Sequence, residues 1–233
     1  MSIPLYRHEL KFEISRMEKD VLAKELALVM TSDVHAKDGC YMIRSLYFDD
    51  WANSAYEEKQ AGVAGRRKFR IRIYDYSDKV IKLECKRKEG QYIHKDAVSL
   101  TLEETSAIIG GNYSVLSKRK EPLCCEFYQE CLTQGLRPKV IVDYDREPYV
   151  YEGGDVRITF DMGLRTALLG ADIFDSRLPV VGVMQPDRLI LEVKFTQYMP
   201  DFIKDILRGR AYTQVAASKY TMCVDKHREL LGF

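Results

Sequence analysis

Two periodicities alternate along the 233 residues. Segments rich in Ile, Val, Tyr and Phe that switch between apolar and polar at every step predict strands at residues 6–14, 41–48, 67–74, 79–88, 92–100, 139–149, 156–160 and 189–195. The short run 220–224 reads as a ninth candidate. Helical spacing after Ser15, which has Glu18 three residues on in the form of a capping box, predicts a helix over 15–30. Ser54 with Glu57 and Thr101 with Glu104 open two briefer helices of the same form. Two more are expected over 123–132 and 200–207, the last with Pro200 in its first turn and Gly209 as its stop. Gly153-Gly154-Asp155 and Tyr76-Ser77-Asp78 read as hairpin turns, and strands joined by short turns imply an antiparallel sheet.

Successive side chains of a strand point to opposite faces, so the charges can be sorted by face. Arg7, Glu9, Lys11 and Glu13 oppose Leu10, Phe12 and Ile14. Lys68, Arg70 and Arg72 oppose Phe69, Ile71 and Ile73; Lys82, Glu84, Lys86 and Lys88 oppose Ile81, Leu83 and Cys85. Arg157, Thr159 and Asp161 oppose Val156, Ile158 and Phe160, and Glu192 with Lys194 opposes Leu191, Val193 and Phe195. An antiparallel sheet with one solvated charged face is the plain explanation. Against it, Arg and Lys dominate the middle of several strands, and Arg70 and Arg72 would repel one another unless an anion lay between them. The pattern instead suits an α+β fold in which eight antiparallel strands close into a barrel, charges inward and helices outside, as a basic tunnel.

Composition narrows the setting. With 46% hydrophobic and 30% charged residues, 7 Pro and 14 Gly, the chain is an ordinary folded protein, and no linker-like tract divides it, so one domain over 1–233 is expected. Every window long enough to span a bilayer carries charge, and Arg7, His8, Glu9, Lys11 and Glu13 stand where a secretory signal needs an apolar run. A cytoplasmic location follows as the expectation. The six cysteines form no CxxC pair and the four histidines never fall at metal-ligand spacing, which points to reduced, buried thiols. Because 36 Lys+Arg meet 35 Asp+Glu, anion binding must come from local placement.

Phosphate chains suit such local placement, since guanidinium and ammonium groups can grip successive phosphoryl groups. The recurring Glu-x-Lys at Glu9-Lys11, Glu84-Lys86 and Glu192-Lys194 reads as a carboxylate for Mg²⁺ or Mn²⁺ beside a phosphate ligand. A cross-strand salt-bridge ladder is the rival reading.

The segments Tyr6-Arg-His-Glu-Leu-Lys-Phe12, Arg70-Ile-Arg-Ile-Tyr74, Leu83-Glu-Cys-Lys86, Val142-Asp-Tyr-Asp-Arg146, Val156-Arg-Ile-Thr-Phe-Asp161, Leu191-Glu-Val-Lys194 and Ser218-Lys-Tyr220 resemble, in this order, the VTC domain of polyphosphate polymerases, one of the CYTH-like triphosphate tunnel metalloenzymes. The resemblance implies an eight-stranded tunnel that binds ATP and a divalent metal and passes phosphoryl groups to a growing polyphosphate chain. It assigns phosphate contacts to Lys11, Arg70, Arg72, Lys86, Lys95, Tyr144, Arg146, Ser218 and Lys219, and the metal to Glu192. Glu9 or Glu84 would assist Glu192, and Arg44, Arg157 and Lys194 are further candidate substrate contacts. Yeast-type relatives add an SPX sensor and a membrane domain that this sequence does not carry, so a separate membrane protein is the partner expected to receive the product. Hydrolytic relatives carry Glu-x-Glu-x-Lys in the first strand, whereas Arg7 replaces the first Glu here, which favours the polymerase over a triphosphatase.

A non-catalytic polyphosphate- or nucleotide-binding module would keep the cations and could lose the metal carboxylate, yet Glu192 is present. Nucleic acid is not expected as a partner, because Phe12, Phe69 and Phe195 fall opposite the charges. Asp161-Met162-Gly163 imitates a kinase tripeptide without the catalytic loop or glycine-rich loop a kinase needs, and no Walker motif occurs.

Overall fold

The strands expected from alternation form, and the apolar faces they present determine where the helices pack. A computed structural model describes residues 8–90, 92–167, 172–196, 198–208 and 212–232. The elements are β1 (His8–Ser15), α1 (Arg16–Leu26), β2 (Thr31–Ser32), β3 (Tyr41–Asp49), α2 (Ser54–Gln60), β4 (Gly65–Tyr74), β5 (Ser77–Glu89), β6 (Tyr92–Ser99), α3 (Leu102–Ile109), α4 (Pro122–Thr133), β7 (Arg137–Tyr151), β8 (Val156–Ala167), β9 (Val180–Gly182), β10 (Arg188–Phe195), α5 (Asp201–Leu207), β11 (Thr213–Gln214) and α6 (Lys219–Leu231). The expected strand residues Tyr6 and Arg7 and the helix stop Gly209 lie outside the described residues.

The sheet is antiparallel at β1–β10, β1–β11, β8–β10, β2–β7, β3–β4, β4–β5 and β5–β6. It has eleven strands in the order β11-β1-β10-β8-β7-β3-β4-β5-β6, with β2 on β7 and β9 on β8. This corrects the eight-stranded closed barrel: among the described residues the path ends at two edges, β11 and β6. The strands missed, β2, β9 and β11, are two or three residues long, too short for alternation to register. One of them, β11, occupies the second edge of β1 at Phe12 and Glu13.

The chain divides into two compact units, the first from residues 1–42, 144–164 and 182–218, the second from 43–143, 165–181 and 219–233. In the first, Ile14, Ile158, Phe160, Leu191 and Val193 on the apolar faces of β1, β8 and β10 pack with Leu22 and Leu26 of α1 and Ile203 of α5. In the second, Leu46, Phe48, Ile71, Ile73, Leu83 and Cys85 of β3–β5 pack with Ile108 of α3 and Leu123, Cys124 and Phe127 of α4. Each such side chain removed from water contributes roughly 1.5–3 kcal/mol. In both units the charged faces named above are the opposite faces of these same strands.

Local chemistry sets the boundaries. Ser15 and Thr101 close complete capping boxes with Glu18 and Glu104. At α2 the cap differs from the expected one: Asn53, not Ser54, is the N-cap, its side chain makes no capping bond, and the carboxylates of Asp49 and Asp50 at the end of β3 do the capping. Asp49 accepts from the N–H groups of Ala55 and Tyr56, and Asp50 from that of Ser54. The β4–β5 turn is tighter than expected, with Asp75 and Tyr76 at φ 50° and 56°, the two left-handed residues of a primed hairpin turn. Between β7 and β8, Gly154 has φ 80°, and a Cβ there would collide with the carbonyl oxygen of Tyr198. The ninth candidate strand is also corrected: residues 220–224 lie in α6. Tyr220, Cys223, Val224 and His227 recur at helical spacing, and five residues are too few to separate that period from a strand. Among the described residues no helix is long and apolar enough to cross a membrane, and the cysteines are unbridged.

Candidate active site

Each unit gathers cations around a buried carboxylate. In the second, the register sets Arg70 opposite both Tyr47 and Glu84, Arg72 opposite Ser45 and Lys82, and Lys86 opposite Lys68 and Lys95. Oε2 of Glu84 accepts from Nε of Arg70 at 2.8 Å and from its Nη2 at 2.7 Å. Oε1 accepts from Nζ of Lys95 at 2.9 Å. Nη1 of Arg72 stands 3.9 Å from Oε2, and its Nε donates to Oγ of Ser45 at 3.2 Å. Tyr47 completes the hold on Arg70, its hydroxyl oxygen accepting from Nη1 at 2.7 Å. Burial opposes the charge on Glu84, but Arg70, Arg72 and Lys95 outweigh it and keep the carboxyl well below its ordinary range. Lys95 is shifted down, by burial first and then by the charges of Arg72 and Arg70, which Glu84 only partly offsets.

In the first unit, β1 and β10 pair so that Lys11 faces Glu192 and Glu9 faces Lys194. Lys11 lies 3.1 Å from Oε1 of Glu192, while Oε2 accepts from Lys194 at 2.7 Å and from Nη2 of Arg146 at 3.3 Å. Glu9 shares the same lysines, at 3.4 Å from Lys194 and 3.9 Å from Lys11. Arg146 forks Asp161 with bonds of 2.6 and 2.7 Å and lies beside the ring of Tyr144, 5.3 Å from its centroid. Burial disfavours charge on Lys11 and on Arg146; Glu192 and Glu9 outweigh it at the lysine, Asp161 at the arginine, and both stay above their ordinary ranges.

The centres of these faces are buried, while Lys95 on β6 is 48% exposed. The side chains of Glu84 and Arg72 are 3% and 8% exposed, those of Glu192 and Arg146 5% and 10%. The salt-bridge ladder is real as geometry, and it coexists with an excess of cations on β4–β6, where Arg70, Arg72 and Lys95 meet Glu84 and Lys68 and Lys86 share the same polar face in the next register position.

Lys86 is half-buried on β5; Lys219 is buried at the start of α6, directly after Ser218. Arg157 turns to Asp33 at 2.6 Å and to the hydroxyl of Tyr41 at 3.0 Å. Arg44 joins neither group: it is 1% exposed, forks Asp143, and donates to the carbonyl oxygens of Ile173 and Asp175. Asp161, Tyr47 and Ser45 join these groups without having been among the expected ligands. Asp161 was visible on the charged face of β8, whereas Ser45 and Tyr47 lie on a face of β3 that carries no Lys or Arg; their partners Arg146, Arg72 and Arg70 come from neighbouring strands and are fixed by register.

Among the described residues no group of three or more His, Cys, Asp or Glu is arranged to hold a metal by itself. Glu192 and Glu9 nevertheless fit a hard divalent cation as a pair, because Mg²⁺ commonly takes one or two carboxylates and completes its shell with substrate phosphate oxygens and water. Glu84, a lone carboxylate among cations, fits an arginine clamp instead.

A model of the VTC domain matches residues 6–227. The chain belongs to the VTC domain family. Solved structures share the fold of this VTC domain at low identity. A putative adenylate cyclase from Bacillus halodurans is 13% identical with a TM-score of 0.54, covering 91% of this chain and 95% of that one. A putative adenylyl cyclase from Hippeastrum, described as having a dominant triphosphatase activity, is 14% identical with a TM-score of 0.54 over 94% and 95% of the two chains. A putative adenylate cyclase from Vibrio parahaemolyticus is 10% identical with a TM-score of 0.51, over 93% and 97%. No curated protein matches.

Proposed function

We propose that this VTC domain, acting as one functional domain over residues 1–233, transfers the γ-phosphoryl group of ATP to a polyphosphate chain with Mn²⁺ or Mg²⁺. The observation that carries the reading is the convergence of Arg70, Arg72 and Lys95 on buried Glu84. Family membership and a fold shared with a protein of triphosphatase activity support it.

Phosphoryl transfer asks little covalent work of a protein; positioning and charge neutralisation do most of it. Arg70, Arg72, Lys86 and Lys95 grip phosphoryl oxygens, with Glu84 fixing the direction of the two guanidinium groups. Lys11, Arg146 and Lys219 spread the charge that builds up during transfer, Asp161 holds the Arg146 fork in its plane, and Tyr144, Ser218 and Lys194 add contacts to the substrate. Glu192 with Glu9 would hold the metal, which supplies Lewis-acid neutralisation of the phosphoryl oxygens when bound. A terminal oxygen of the acceptor chain forms a bond to the γ-phosphorus as the bond to the β-phosphate oxygen breaks, and ADP leaves with the electron pair. The expected cellular setting is the cytoplasm, with a separate membrane protein receiving the polymer.

Incubation with ATP and Mn²⁺, following ADP, free phosphate and polyphosphate together, tests the reading. Polymer with ADP supports it. Free phosphate without polymer makes the protein a triphosphatase, and tight triphosphate binding without turnover makes it a binding module. Glu192→Gln is expected to lower turnover at least a hundredfold at saturating ATP and to raise the metal concentration needed for half-maximal rate; an unchanged metal requirement removes Glu192 from the metal.

A further inference from the structure

Beside the second unit's array lies a polar relay that the proposed reaction does not use. Tyr47 and Asp49 stand two apart on one face of β3, opposite Leu46 and Phe48. The hydroxyl of Tyr47 holds Arg70, and its ring packs on that of Tyr220, the centroids 5.1 Å apart and the planes at 33°. The Tyr220 hydroxyl donates to Oδ2 of Asp49, and Nζ of Lys68 sits 4.7 Å over the Tyr220 ring. Both Tyr220 and Asp49 are almost fully buried. Asp49 is saturated: besides Tyr220 it accepts from the backbone N–H groups of Asp50, Ala55 and Tyr56. Tyr56 in turn donates its hydroxyl to Asp225, one turn further along α6. The first turns of α6 are thus pinned by two phenol–carboxylate bonds, and the residue directly before Tyr220 is Lys219.

A carboxylate that already binds four donors has no capacity left for a metal or a substrate phosphate, so its burial is explained by what it positions. We infer that Tyr47, Asp49 and Tyr220 are positioning residues that act as one unit, setting Arg70, Lys68 and Lys219 for a phosphate chain. The two aromatic rings join the Arg70 end of the relay to the Lys219 end, so loosening either end disturbs both. This rests on the phosphate-binding reading given above.

The test measures tripolyphosphate binding and thermal unfolding for the wild-type chain, Tyr47→Phe, Tyr220→Phe and the double variant. Each Phe keeps its ring and loses one hydroxyl. Each single variant is expected to bind about tenfold more weakly with an unfolding midpoint within about 4 °C of wild type. The double variant is expected to bind no more weakly than the worse single one, because coupled residues are not additive. Should Tyr220→Phe fail to fold, Tyr56→Phe loosens the same helix one turn later and takes its place in the cycle. Wild-type affinity in either single variant overturns the relay, as do losses that multiply in the double variant. Failure of the wild-type chain to bind tripolyphosphate at all overturns the phosphate reading, and the relay with it.

Discussion

Glu84 and Arg44 show how two buried charges acquire different meanings from their partners. Glu84 is ionised far below the ordinary carboxylate range because Arg70, Arg72 and Lys95 favour its charged form. A group whose pKa is depressed by folding adds stability that is complete above its unfolded value and lost as pH falls through the folded one. Glu84→Gln should therefore lower stability by on the order of 2 kcal/mol at neutral pH, and the gap to wild type should close on acidification only well below the unfolded glutamate range; thermal melts against pH check this. A gap that closes near pH 4.5 would mean that the clamp is not formed in solution. Arg44 has spent its guanidinium on Asp143 and on two carbonyl oxygens in the core. Arg44→Ala leaves a buried carboxylate uncompensated and is expected to cost about 3–5 kcal/mol of stability, read by chemical denaturation. Both residues were visible as charges on a strand, and both are buried; their partners separate a carboxylate held among several cations from a one-to-one core ion pair.

Elements were legible where their signals are local. The capping boxes at Ser15 and Thr101 involve residues three apart, and both form as read. Ser15→Ala should destabilise the fold by about 1 kcal/mol, measured as a shift in the denaturation midpoint, with α1 fraying first in hydrogen exchange. The start of α2 was misread because its caps come from Asp49 and Asp50 at the end of β3 rather than from Ser54. The segment at 220–224 was misread as a strand because a five-residue apolar run satisfies both periods. Its identity as helix is settled by the turn that follows, where His227 extends the stripe of Tyr220, Cys223 and Val224.

For the molecule as a whole, a net charge of +1 conceals a strong segregation of charge. Lysines and arginines crowd the polar face of β4–β6, and many of the balancing carboxylates lie in other clusters. Binding driven by such an array weakens as salt screens it, since the Debye length falls from about 10 Å at 0.1 M to about 3 Å at 1 M. The Kd for tripolyphosphate should accordingly rise about tenfold or more over that range, by titration calorimetry; a salt-independent Kd would speak against cation-driven binding. The sheet too is a property of the whole: each long strand was readable by itself, but not the open order with β11 on the edge of β1.

Alternation, caps and turns are short-range, so the sequence by itself determined the long strands, most of the helices and which side chains share the apolar and charged faces, but not the two- and three-residue strands or the helix at residues 219–231. Tertiary structure decided the partners: Lys11 with Glu192, Arg70 with Glu84, Arg146 with Asp161, and Arg44 with Asp143 in the core rather than among the phosphate-binding cations. The physical reason is that a strand's period assigns a face, whereas pairing needs the hydrogen-bond register between strands, which for Lys11 and Glu192 lie far apart in the chain.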